Sequence, residues 1–378
     1  MRQAYSGAAI FDGARLLDDH ALVLEAGKVV AILPAAEAPD AERLEGGILA
    51  PGLIDLQING GGGLMVDGAA TPATFAAICA AHETLGAMSV LPTLITDRPE
   101  ATRAAIASGV AALGTPGFLG LHLEGPHLDI RRKGAHDPAL IRPMQEADLA
   151  LYCEAARKLP TLMLTLAPAS VTPAQIAALT EAGVIVSLGH ADCTLTEAEA
   201  AIAAGASCAT HLFNAMSQLG HREPGLVGAT LTHPIACGLI ADGIHVSEQA
   251  MRIALAAKPE GIFLVSDCMS PAGTDLTEFQ LNGRRTLRRD GRLTLEDGTL
   301  AGADLTLPQA MRHLAGLGIA RERILAMVTS IPAAAIRREA EIGHLAPGRP
   351  ADLVHLAEDF SLRATWRAGV RTDRPSRP

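Results

Sequence analysis

LHLEGPHLDIRRKGAH, residues 121–136, carries an apolar run through a sharp turn into a polar loop. The run 118–123 reads as a buried strand, and the residue that ends it is a carboxylate, Glu124. Gly125-Pro126 breaks the chain, and His127, Arg131, Arg132, Lys133 and His136 follow. Stripping a carboxylate of water costs on the order of several kcal/mol unless a cation or hydrogen-bond donors replace its hydration. A positive partner is therefore expected opposite Glu124, and the ends of the other strands are the places to look for it.

Runs of the same kind recur at 53–59, 88–95, 118–124, 162–167, 184–190, 207–211, 236–241 and 262–267, eight in all. Helical patterns at 72–85, 100–113, 144–159, 173–182, 197–204 and 248–257 separate most of them, with Thr71, Thr172, Thr196 and Ser247 as expected N-caps. Residues 214–232, interrupted by Gly and Pro, read as a long loop. Eight buried strands with crossover helices predict an α/β fold, a (β/α)8 TIM barrel. A doubly wound open sheet explains fewer strands. It also lacks its phosphate fingerprint here, since the glycine run 60–63 has the wrong spacing and reads as a flexible loop.

Outside the barrel, residues 1–50 and 345–378 break into short β pieces and are expected to pair as one small β-sandwich domain. Residues 51–344 then form the barrel domain, with an inserted β-hairpin near 279–300 turning at Asp290-Gly291 and Asp297-Gly298. Helical pieces follow at 307–317, 321–328 and 332–338.

A formal net charge of −10 argues against a nucleic-acid partner. The one basic cluster, RRTLRR at 284–289, reads as a solvated hairpin face. Six cysteines without a C-x-x-C pair suggest free thiols in a reducing compartment. No signal peptide opens the chain, and no apolar stretch approaches the roughly 20 residues of a membrane helix. A cytoplasmic protein without a membrane partner is expected.

Catalytic groups of such barrels sit at the C-terminal ends of strands. Polar residues that abruptly end apolar runs are Glu124, His190, His211 and Asp267. One carboxylate and two imidazoles are a normal ligand set for a catalytic divalent metal, with a position left for water. Asp267, from the opposite arc, is then placed to act as base and acid. Taken singly, each has an ordinary structural alternative: a hydrogen-bonded core histidine, a Glu124 pair with Arg131 or Lys133, or an Asp267 cap on the Ser270-Pro271 turn. Their joint occurrence at strand ends of one barrel favours the metal site. His122 and His127 flank Glu124 without an assigned role, while His20, His82, His313, His344 and His355 read as surface or structural.

With these residues in view, the sequence resembles the N-acetylglucosamine-6-phosphate deacetylases of the amidohydrolase superfamily. The resemblance rests on PGLIDLQINGGGG (51–63), HLEGPHLDIRRKGAH (122–136), SLGHAD (187–192), THLFNAM (210–216), REPGLVGA (222–229), ADGIHV (241–246), VSDCMSPAG (265–273) and GHLAPGRPADLV (343–354). It implies that Glu124, His190 and His211 ligate the metal and that Asp267 is the general base and acid. It further implies that Ala135, His136, Asn214, Ala215, His245 and the stretch Leu300, Ala301, Gly302 line a sugar-phosphate site. His136 is implied to contact the acetyl carbonyl, and Arg222 to reach the phosphate in the partner's site of a homodimer. Read from residues alone, Arg222 is a surface salt bridge with Glu223 or a neighbour.

Many amidohydrolases carry H-x-H at the end of the first strand, where it holds a second metal. Gln57 and Asn59 stand there instead, and amides are poor ligands for a transition metal. One divalent ion is therefore expected, zinc by default, with iron or cobalt as alternatives. The expected reaction is hydrolysis of N-acetyl-D-glucosamine 6-phosphate, an amino-sugar phosphate, to glucosamine 6-phosphate and acetate. The galactosamine epimer as substrate, or a non-catalytic sugar-phosphate sensor, are the alternatives.

Overall fold

A computed structural model describes residues 2–372; Met1 and residues 373–378, the end of the expected small-domain tail, lie outside the described residues. Eight parallel strands lie side by side in sequence order: Leu53–Ile58, Ala87–Ile95, Leu121–Glu124, Leu162–Leu166, Ile185–Leu188, Cys208–Ala209, Ala236–Leu239 and Ile262–Leu264. They are short and almost wholly buried, as parallel strands covered on both faces must be. The sheet closes just beyond the last strand. Ile58 bridges Cys268 in parallel, Gln57 O accepts the Asp267 N–H at 3.0 Å, and Cys268 O accepts the Asn59 N–H at 2.8 Å. The closed sheet is a TIM barrel.

A buried carboxylate stitches this seam. Asp55 on the first strand accepts the Ser266 N–H at 3.2 Å to each oxygen and the Gln57 N–H at 3.2 Å. Burial pushes its pKa up to about 7. The seam thus sets Gln57, Asn59 and Asp267 next to one another at the mouth of the barrel.

The helices follow the expected order, with two corrections. Thr71, Thr172 and Ser247 cap their helices, each accepting a backbone N–H from the first turn. The helix Leu195–Ala203 is capped by Thr194, not Thr196, because Thr194 forms a reciprocal capping box with Glu197. Within 214–232 the loop gives way to a helix, Gly225–Thr232. Seven of its eight residues are buried, so GLVGATLT has no polar face and no helical periodicity to betray it.

The chain ends build the small β domain. A six-stranded sheet joins Val370–Arg371, Leu362–Arg367 and Leu353–Leu356 to Ile48–Pro51, Ala9–Phe11 and Leu16–Leu17. A four-stranded sheet of Lys28–Pro34, His20–Glu25, Arg2–Ser6 and Glu42–Arg43 packs on it. Between them lie Leu22, Leu24, Leu49, Leu353 and Trp366, with the Trp366 indole N–H donating to the Tyr5 hydroxyl at 3.1 Å.

Three further expectations change. The insertion is a four-stranded antiparallel sheet, Glu278–Leu281, Arg284–Arg289, Arg292–Leu295 and Leu300–Ala303, rather than one hairpin. RRTLRR is solvated on one face only: Arg285 and Arg289 are exposed, but Thr286 is fully buried, Arg288 pairs with Asp304 at 2.8 Å, and Arg284 donates to Ala135 O. The glycine run is a tight hairpin, Gly60–Gly61 against Leu64–Met65. Among the described residues no helix is long and apolar enough to cross a membrane.

Trp366 is the one tryptophan, so its fluorescence reports on the small domain. Leu353 is 0 % exposed between the sheets, and Leu353→Ala is expected to cost about 2–5 kcal/mol. The check is a denaturant titration followed by Trp366 emission; an unchanged midpoint contradicts this packing.

Candidate active site

The barrel mouth brings together the four residues that end apolar runs. Glu124 is the last residue of the third strand; His190, His211 and Asp267 lie just beyond the fifth, sixth and eighth. His190, His211 and Asp267 all have left-handed backbones, with φ of 46°, 33° and 48°. Non-glycine residues rarely adopt this region, and each such position costs on the order of 1–3 kcal/mol.

The carboxylate Oε1 of Glu124 lies 3.0 Å from His211 Nε2 and 3.3 Å from His190 Nε2, and the two ring nitrogens are 3.1 Å apart. All three residues are buried. Burial works to raise the Glu124 pKa, but the His190 and His211 rings beside it outweigh that and hold the acid well below its usual range. The pairs with Arg131 and Lys133 do not form. Arg131 pairs with Asp129 and Arg132 with Asp192, while Arg131 and Lys133 remain exposed.

This donor set fits a divalent cation. Arg132 O can only accept, so the 2.8 Å contact to His190 Nδ1 places the proton on Nδ1 and turns the lone pair of Nε2 into the site. His211 Nδ1 has no hydrogen-bond partner among the described residues. One carboxylate oxygen and two imidazole nitrogens therefore converge, all within 4.8 Å of one another.

The amides at the end of the first strand are bonded to the carboxylates. Gln57 Nε2 donates to Glu124 Oε1 at 3.1 Å and to Asp267 Oδ1 at 3.2 Å, and Asn59 Nδ2 donates to Asp267 Oδ1 at 2.8 Å. Asp267 is buried, and that burial together with the nearby charge of Glu124 pushes its pKa up to about 6. An acid of that strength can both take and return a proton near neutrality.

Beside these groups lies a cavity of about 290 Å³, lined by Ala135, His136, Asn214, Ala215, His245, Leu300 and Gly302 among others. Ala301 is buried behind its neighbours and does not line it. Backbone N–H of Thr96 donates to His136 Nδ1 at 3.3 Å, so the ring carries its proton on Nε2, which lies 4.0 Å from Glu124 Oε2. Burial lowers its pKa to about 3, leaving a neutral imidazole whose N–H faces the site. His245 Nδ1 donates to Asp242 Oδ2 at 2.6 Å. Arg222 is exposed, lies outside its own chain's cavity and forms no ion pair among the described residues. Glu223 turns instead to the Leu195 N–H at 2.7 Å.

Sequence reasoning missed Thr96 and Asp242, which orient the two histidines. Asp242 was findable, as a carboxylate three residues before His245 in ADGIH. Thr96 carried no signal. His127 is a structural residue, bonded to Arg142 O at 3.0 Å and Tyr152 OH at 3.1 Å, and His82 is buried on Gly60 O at 2.9 Å.

Known proteins resemble this chain over most of its length. The model of the amidohydrolase family matches residues 48–372. The N-acetylgalactosamine-6-phosphate deacetylase of Shewanella sp. (strain ANA-3) is 41% identical over 86% of this chain and 84% of its own. The N-acetylglucosamine-6-phosphate deacetylase of Mus musculus is 35% identical over 94% of this chain and 89% of its own. The crystal structure of N-acetylglucosamine-6-phosphate deacetylase from Pasteurella multocida superposes with a TM-score of 0.95 at 33% identity, covering 99% of this chain and 100% of that one. From its fold, its buried Glu-His-His group and these likenesses, the chain belongs to the metal-dependent amidohydrolase family, alongside the amino-sugar-phosphate deacetylases.

Proposed function

We propose that this protein removes the acetyl group of N-acetyl-D-glucosamine 6-phosphate by hydrolysis, giving D-glucosamine 6-phosphate and acetate. The observation that carries the reading is the buried Glu124, His190, His211 cluster with Asp267 on the opposite side of the same barrel mouth. Glu124, His190 and His211 would hold one divalent ion, zinc by default, with iron or cobalt as alternatives. When bound, that ion supplies Lewis acidity toward an attacking water and the acetyl carbonyl.

The chain's own residues supply the rest. Asp267, oriented by Gln57 and Asn59, takes the proton of the attacking water and returns one to the departing amine. His136 offers its Nε2–H to the acetyl oxygen as negative charge develops there. Its low pKa keeps the ring neutral near pH 7, so it acts there as a hydrogen-bond donor and not as a cation. The amide pair at 57 and 59 already spends its N–H groups on the two carboxylates, which supports a single ion rather than two.

Sugar and phosphate fall to Asn214, Ala215, His245 and the 300–302 stretch. Arg222, exposed and without an ion pair among the described residues, serves the phosphate of a partner's site in a homodimer, where its planar fork suits a dianion. Six free cysteines fit a reducing, cytoplasmic setting.

Asp267→Asn should abolish acetate release from N-acetylglucosamine 6-phosphate while metal content and substrate binding stay near those of the parent; retained turnover refutes its role. Glu124→Ala should lose both metal, by elemental analysis, and activity; a fully metallated, active variant refutes the ligand assignment.

The Shewanella relative favours a second substrate, the galactosamine epimer. Measuring kcat/KM on both N-acetylhexosamine 6-phosphates decides the matter: glucosamine preference is expected, and a higher value for the galactosamine sugar reverses the assignment.

A further inference from the structure

The barrel interior beneath the proposed ligands is crossed by a continuous chain of polar side chains that the reaction does not use. Ser187 Oγ lies 2.6 Å from Thr210 Oγ1, which lies 2.6 Å from Thr165 Oγ1, which lies 2.7 Å from His122 Nε2. His122 Nδ1 completes it, 3.2 Å from Leu56 O and 3.3 Å from Thr93 Oγ1. All five side chains are buried, His122, Thr165 and Ser187 at 1 % exposure each. Six of the eight strands contribute an atom or lead directly into a residue that does.

The donors and acceptors allow one direction through the chain. Leu56 O can only accept, so His122 carries its proton on Nδ1. Thr93 donates its own hydrogen to Leu91 O at 3.1 Å, leaving its oxygen to accept from the same N–H. The buried ring makes no hydrogen bond to a carboxylate and is neutral, so Nε2 accepts from Thr165. Thr165 then accepts from Thr210, and Thr210 from Ser187. Every hydroxyl from Thr165 to Ser187 donates once, and the run ends on a backbone carbonyl. It is therefore a fixed brace and not a route for protons.

Each strand that delivers a proposed ligand gives this brace one member just before it. His122 precedes Glu124 by two residues, Ser187 precedes His190 by three, and Thr210 directly precedes His211. Thr165 is the centre, in register with both Glu124 and Ser187 on the neighbouring strands. The turn into His190 rests on it as well. A Cβ on Gly189 would stand 2.8 Å from Thr165 Cγ2 and 2.8 Å from Thr210 Cβ, a separation that real Cβ atoms do not tolerate. Glycine is needed there because the backbone sits directly on the brace.

We infer that this hydroxyl–imidazole brace fixes the mutual spacing of Glu124, His190 and His211, with Thr165 as its central positioning residue. Thr165 does not line the cavity and acts only through the strands it joins. The inference rests on the metal reading of the Glu-His-His cluster. Thr165→Val keeps the side-chain shape but leaves the His122 acceptor and the Thr210 donor without partners inside the barrel.

The test is zinc affinity of the full-length metal-free protein, measured by competition with a chromophoric chelator, beside the thermal midpoint of the same metal-free samples. Thr165→Val should bind zinc about 10–100-fold more weakly than the parent, as outer partners of metal ligands do when removed. Thr165→Ser, which keeps the hydroxyl, should restore affinity. Unchanged zinc affinity in Thr165→Val, with or without a lowered midpoint, overturns the inference, because a merely structural residue would move only the midpoint. Should Thr165→Val fail to fold, Ser187→Ala removes the terminal donor alone; weakened zinc binding supports the brace and parental binding overturns it. A parent protein that binds no zinc overturns the metal reading first and the brace with it, which separates the two failures.

Discussion

A carboxylate that water cannot reach must be compensated by its surroundings, and the barrel mouth is arranged around that requirement at Glu124. Two imidazole nitrogens and one amide N–H point at the same oxygen, Oε1, at 3.0, 3.3 and 3.1 Å. Neutral donors alone rarely satisfy a buried charge; the proposed divalent ion between Glu124, His190 and His211 would do so, with the amides bridging to Asp267. The single-ion reading and the placing of the base thus follow from one electrostatic constraint.

That constraint explains features that otherwise look costly. Three of the four residues at the mouth adopt left-handed backbones, which the surrounding barrel must over-determine. Closure at the seam provides part of this. Asp55, fully buried, accepts the backbone N–H of Ser266 and so holds the turn that presents Asp267. The inserted sheet provides another part: Arg284 reaches Ala135 O, and Ile95, Met269, Leu281 and Leu293 form a small apolar core that ties the insertion to the barrel top. The cavity wall at 300–302 is therefore built on a packed sheet, and sites on rigid elements hold their geometry better than sites on free loops.

Much of this was legible in the sequence because the barrel strands are buried on both faces. Continuous apolar runs with polar ends stand out, and the polar ends were Glu124, His190, His211 and Asp267. The same logic failed where local pattern and tertiary setting diverge. Gly225–Thr232 is buried all round and shows no helical period. RRTLRR reads as solvent-facing by charge, yet Arg284 and Arg288 are spent on backbone carbonyls and on Asp304. Thr194 and Thr196 are equally good caps until Glu197 selects the first. Gln57 and Asn59 read only as lost ligands, because an amide's role as an orienting donor depends on carboxylates 67 and 208 residues away in the chain. Thr165 in its strand and Thr96 and Thr210 just past theirs are ordinary residues in one dimension, and only the folded barrel gives them partners.

The central claim is one metal ion held by one carboxylate and two imidazoles. X-ray absorption on the purified protein at the metal edge, with total metal content, tests it most directly. The account predicts about one first-row ion per chain with a nitrogen- and oxygen-only shell containing two imidazoles. Two ions per chain, or a shell containing sulfur, would contradict it.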